Sequence, residues 1–357
     1  MAKKNLLFFL VLLLLITGCD QKAKEKTFDV DLFLQEVTQK VILPTLDDFK
    51  KQAEQFTKET ERYVNSPSVE QLEVLRKQWV KTAYAYERTY NFHLGPAKSR
   101  FVHRAIYNWP TVPETIENLI SSKEFNEEKM AKASPQIKGL AALEYLLYRE
   151  DVDKVHIQMT EQETRRTYLL HSVKFLEAQA NRLVSIWAAE GENYTETFVT
   201  SKATGLKNSF NLLFNGLFNA ANTAKFTKIG KPGGLEKSPR TNPQKVQAPY
   251  SNESLALTRE SVEVIEEVFF GNDHPNISEY ISSLAEDEVV NGRIKTAIQD
   301  IKEAIAAIPV PLEEAVDTYP KEVENLHLQL TALNIWMGVD ARSLLSVILT
   351  STDNDGD

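Results

Sequence analysis

Apolar residues recur at three- and four-residue steps along nearly the whole chain, and alternating Val/Ile/Thr-rich runs are scarce. A period near 3.6 places one apolar stripe on a helix, whereas a half-buried strand needs a period of two. The pattern therefore predicts an all-α fold. The first helical run spans roughly residues 28–63, with Pro44 placed to kink it or to begin a new helix. The next carries Leu72, Leu75, Trp79, Ala83, Tyr86 and Tyr90 on one face and meets the breaker Gly95-Pro96. Residues 97–113 are less regular. Further helices are predicted over 113–121, 136–149, 160–190, 195–226, 252–270, 286–308 and 320–350. The stretch 230–250 is rich in Gly and Pro and poor in large apolar residues, which makes it the best linker in the chain. These elements predict two packed helical bundles, 28–229 and 251–350. The cleft between the halves is the expected place for a ligand.

The N-terminal segment is set apart from this body. Lys3 and Lys4 precede an apolar run from Leu6 to Ile16, which is shorter than the roughly 20 residues of a comfortable membrane span. The run closes on Ile16-Thr17-Gly18-Cys19, which looks like a bacterial lipoprotein processing box. Residues 1–18 are expected to be a signal peptide, Cys19 the lipid anchor and 19–27 the tether. An ordinary secretory signal with a chance cysteine is the alternative. The expected location is the bacterial cell envelope, on the outer membrane or a periplasmic face. Cys19 is the one cysteine, so no disulfide can form within the chain. The net charge of -9, with no basic patch interleaved with aromatics, speaks against nucleic acid as a partner. Residues 351–357 form a polar tail. Asp353-Asn-Asp-Gly-Asp357 resembles the start of a calcium loop without its closing glutamate.

Among candidate site residues, Glu144 stands out. It is the one carboxylate in the apolar helical run Gly139-Leu-Ala-Ala-Leu-Glu-Tyr-Leu-Leu147. Burial there costs several kcal/mol unless the group is paired. Glu144 is a candidate metal ligand or general base. Equally, it is a candidate for a buried ion pair with Arg104 or Arg88. A lone carboxylate falls short of the three protein ligands that zinc requires. Glu87 sits among aromatic residues. His93 and His103 flank Gly95-Pro96 and read as surface or helix-end residues. Glu324 and His327 have the Glu-x-x-His spacing of di-iron bundles, but a second copy is missing, which favours a surface pair. Ser251 is placed as a helix N-cap or as a residue lining the cleft, with Tyr250 and Ser254 beside it. No phosphate loop, His-Glu-x-x-His helix or nucleophile elbow occurs.

Several segments, in order, resemble the imelysin-like family of bacterial envelope proteins. They are Val41-Ile-Leu-Pro-Thr-Leu46, Trp79, Glu87, Phe92-His-Leu-Gly-Pro96, Arg104, Trp109-Pro110, Gly139 to Leu147, and Pro249-Tyr-Ser-Asn-Glu-Ser-Leu255. The closing Asp353 to Asp357 is also similar. The family motif is Gly-x-His-x-x-Glu, in which His and Glu are the proposed metal ligands. Here Gly139 and Glu144 match, but Ala141 stands in the histidine slot. The resemblance implies binding of a ligand or metal in iron or metal acquisition, without catalysis. It places Glu144 at the centre as ligand and metal group, with Glu87, Arg104 and Ser251 as neighbours. Iron or zinc is the implied metal. The membrane, through Cys19, and an envelope transport protein are the implied partners. A metallopeptidase and a purely partner-docking lipoprotein are the alternatives, and no catalytic residue is assigned.

Overall fold

The computed structural model describes residues 27–122, 125–285 and 288–350. The expected anchor Cys19 and the tail 351–357 lie outside the described residues. All regular structure among the described residues is helical. None of these helices is long and apolar enough to cross a membrane.

The predicted run 28–63 forms helices Val30–Val37 and Leu43–Asn65, joined by the π-helical turn Thr38–Ile42. The turn closes with the Leu43 N–H bonded to the Thr38 carbonyl, just ahead of Pro44. Proline has no N–H to donate and its ring crowds the preceding turn, so the helix widens rather than breaking. Helix Leu43–Asn65 packs against Val69–Tyr90 and Glu163–Trp187, and Gly139–Tyr148 lies against the latter two. Trp79 donates its indole N–H to the Leu140 carbonyl at 3.0 Å, which satisfies both groups inside the core.

Among the later helices, Val289–Ala307 packs on both Ser254–Phe270 and Pro320–Ile335. Helix Ser209–Thr223 packs against Ser254–Phe270 and Pro320–Ile335, so it joins the later helices even though it precedes the Gly/Pro-rich stretch. Ser254–Phe270 also packs on Val69–Tyr90, and Arg88 ties the two together through Glu260 and Glu267.

Several predicted elements differ in extent, among them 320–350, where the α-helix ends at Ile335, a π-helical turn Trp336–Ala341 follows and helix stops at Leu344. The run 195–226 is broken between Tyr194–Thr200 and Ser209–Thr223, where Gly205 turns with φ +61° and the Asn208 side chain caps the new helix. The run 160–190 begins at Glu163, after a separate helix Val152–Glu161. Helix Val69–Tyr90 ends before Gly95, and Gly95-Pro96 opens the short helix Gly95–Ser99.

Gly139 opens its helix with φ +70°, and a Cβ there would lie 2.3 Å from the Ile106 carbonyl oxygen. Only glycine meets both demands. Gly139→Ala is expected to destabilise the protein by more than about 2 kcal/mol in urea unfolding, from left-handed strain plus displacement of the backbone at residue 106.

Candidate functional site

Glu144 is 1% exposed, and its partner is not an arginine. Its Oε1 accepts three hydrogen bonds, from the Tyr250 N–H at 2.8 Å, the Ser251 N–H at 2.8 Å and the Ser251 hydroxyl at 2.9 Å. The expected ion pairs do not form. Arg88 faces Glu260 and Glu267, and Arg104 is exposed with its guanidinium 4.6 Å from the Phe101 ring centroid. Ser251 does not cap the following helix, which starts at Ser254; its hydroxyl is spent on Glu144 instead.

Burial holds the Glu144 carboxyl up at about 8, well above its ordinary 4.5. The hydrogen bonds from Ser251 and Tyr250 pull the other way, and the Glu313 carboxylate adds to the rise. Glu313 is itself held up at about 7, chiefly by burial. At neutral pH Glu144 is thus mostly the neutral acid. Its Oε1 accepts all three bonds, which leaves Oε2 to carry the proton.

Glu144 and Ala141, one helical turn apart, line a cavity of about 280 Å³ together with Trp109, Tyr250, Gln247 and Lys245. The stretch 246–248 of the predicted linker is buried beneath it. Glu87 secures that stretch from the other side. Its Oε1 pairs with Lys228, and its Oε2 accepts from the Gln247 amide at 2.8 Å. Tyr107 donates its hydroxyl to the Gln247 carbonyl at 3.1 Å. Glu87 and Lys228 are each 2% exposed. The Gln247 Oε1 is buried without a hydrogen-bond partner, which leaves an acceptor in the cavity wall.

The structure thus brings Glu144, Ser251 and, through Gln247, Glu87 to one place, and leaves Arg104 outside it. Lys228, Gln247 and Lys245 were not singled out by sequence. Their only signal was position, in or beside the Gly/Pro-rich stretch, and nothing local marks a lysine as destined for burial. His93 stands just past the end of helix Val69–Tyr90, as a helix-end residue, but is buried rather than at the surface, and His327 pairs with Glu236 at 2.9 Å rather than with Glu324. Among the described residues no three His, Cys, Asp or Glu side chains converge as a metal-binding group. The donor set at Glu144 is one neutral acid, amides and the ammonium of Lys245. It does not fit a catalytic zinc ion, which needs three protein ligands and an open position.

Two outcomes follow. Because the folded pKa of Glu144 is raised, its contribution to stability is complete below about 4.5 and is lost as pH rises towards about 8. Glu144→Gln keeps an acceptor for the three bonds and removes the titration. Between about pH 6 and about pH 9 the wild-type protein should lose on the order of 2 kcal/mol relative to the variant in urea unfolding. Lys228→Met leaves Glu87 buried and charged and should cost about 3–5 kcal/mol. Adding Glu87→Gln should recover most of that loss in the same assay.

Comparison with known proteins identifies the fold and the family. A search of curated protein sequences returns no match. Two crystal structures share the fold. One is designated an iron-regulated protein A precursor, from Parabacteroides distasonis ATCC 8503, with TM-score 0.75 and 15% identity over 92% of this chain and 97% of that one. The other is an imelysin-like protein from Psychrobacter arcticum 273-4, with TM-score 0.73 and 18% identity over 91% of this chain and 99% of that one. The family model for imelysin, peptidase M75, matches residues 42–334, and the chain therefore belongs to the imelysin family.

Proposed function

We propose that this protein is a non-catalytic binding protein of the bacterial envelope, anchored through Cys19, which takes up a small anionic ligand in the Glu144 cavity as part of iron or metal acquisition. The family and the name of the iron-regulated relative support the acquisition role. The observation that carries the choice of ligand is the charge of the cavity. Glu144 is neutral below about pH 8, and Lys245 shares the wall with it. A bare cation would have to displace the proton from Glu144 and bind beside an ammonium with one carboxylate oxygen to hold it. An anionic complex, such as a metal ion already wrapped by a carboxylate chelator, meets Lys245 and takes a hydrogen bond from the Glu144 acid.

The approach to the cavity supports the same reading. An adjoining cavity of about 400 Å³ shares Asn242 and Lys245 with it and adds Lys231, Lys237 and Arg240. Its one carboxylate, Glu236, is paired with Lys225 and His327. The metallopeptidase reading would need a histidine where Ala141 stands and a metal-bound water to attack the peptide.

Elemental analysis after exhaustive buffer exchange tests the proposal. Iron supplied with citrate should be retained, and Lys245→Met should lower its affinity about tenfold or more, as expected for loss of a charge-assisted hydrogen bond. Zinc or iron supplied as the bare ion should not be retained. Stoichiometric bare metal that is lost in Glu144→Gln would contradict the proposal and make Glu144 a direct metal ligand.

A further inference from the structure

A third cavity, of about 390 Å³, shares no lining residue with the Glu144 cavity. It lies where the turn after helix Val69–Tyr90 and the short helix Gly95–Ser99 face helix Ser209–Thr223. His93 lines it at 7% exposure, with both ring nitrogens buried and without a hydrogen-bond partner. Asn219 lines it too, and its Oδ1 is likewise buried and unpartnered. Lys98 lines it with no carboxylate or other partner for its ammonium among the described residues. Leu94 and Leu212 supply apolar wall, and among the described residues no Asp or Glu is part of the lining.

We propose that this cavity binds a small organic carboxylate, held by Lys98 together with His93 and Asn219. Each buried polar group left unpaired costs free energy that a ligand would return. Those groups define what the ligand must offer. One full positive charge, at Lys98, matches a carboxylate better than a phosphate, which is commonly held by several cations or a row of backbone N–H groups. Burial and the neighbouring His103 hold the His93 pKa well below its ordinary value, so its ring is neutral. A neutral imidazole offers one N–H to an anion and one lone pair to a hydroxyl or amino group on the same ligand. The Asn219 amide can serve either partner, and the leucines suit a short carbon chain. A metal ion fits poorly, because among the described residues His93 and His103 are the only classical ligands in the lining and a structural or catalytic zinc site needs three or more.

Titrating the full-length protein with acetate, succinate and citrate, while following the imidazole nitrogen signals by NMR, tests the assignment. A saturable shift of the His93 signals with at least one of the three is expected. Lys98→Met should weaken that binding about tenfold or more and Lys98→Arg should restore most of it. Because the titration is read first on the wild-type protein, a variant that failed to fold would not obscure it. No shift of His93 with any of the three acids would overturn the proposal, as would shifts that Lys98→Met leaves unchanged. Tighter binding of inorganic phosphate than of all three acids would overturn the carboxylate assignment.

Discussion

The three hydrogen bonds converging on Glu144 Oε1 are the interaction on which the site depends. They join the helix Gly139–Tyr148 to backbone 106 and 107 residues further along the chain. A backbone N–H pair in a turn has no helical neighbour to accept from it, and the carboxyl group has no water. Each satisfies the other. The Gly/Pro-rich stretch is therefore a strap drawn into the core at two points. Gln247 is held by Glu87, and Tyr250 and Ser251 are held by Glu144. The cavity is the space between those two fastenings.

Much of the fold was legible because it rests on local physics. Helix content followed from the spacing of apolar residues. The irregularity at Pro44 followed from a missing donor, and the burial of Glu144 from its apolar neighbours. The reason for Gly139 was invisible in sequence, since it lies in the carbonyl of Ile106, a contact set by tertiary packing. The partner of Glu144 is hidden from sequence for a related reason. A buried carboxylate suggests an arginine, whereas two backbone N–H groups serve as well and carry no side-chain signature. Glu87 was legible as buried but its lysine was not. Lys228 lies 141 residues away in a π-helical turn, where no period marks it as inward-facing.

The departure from the family motif takes on a physical meaning in this frame. Ala141 lines the cavity on the same helical face as Glu144, so the position that would carry the motif histidine adds space rather than a ligand. The retained glutamate keeps a structural task in the strap, which accounts for its presence without a histidine beside it. Its raised pKa follows from the same burial and leaves it mostly a neutral acid at neutral pH. One residue thereby supports both the fold and the site.

The site depends on Glu144 holding the strap. Amide hydrogen exchange, resolved at Tyr250 and Ser251, measures this directly. In the wild-type protein both amides should be strongly protected, and Glu144→Ala should bring both into fast exchange while helix Gly139–Tyr148 stays protected. Fast exchange at Tyr250 and Ser251 in the wild-type protein, or protection that survives removal of the carboxyl group, would contradict it.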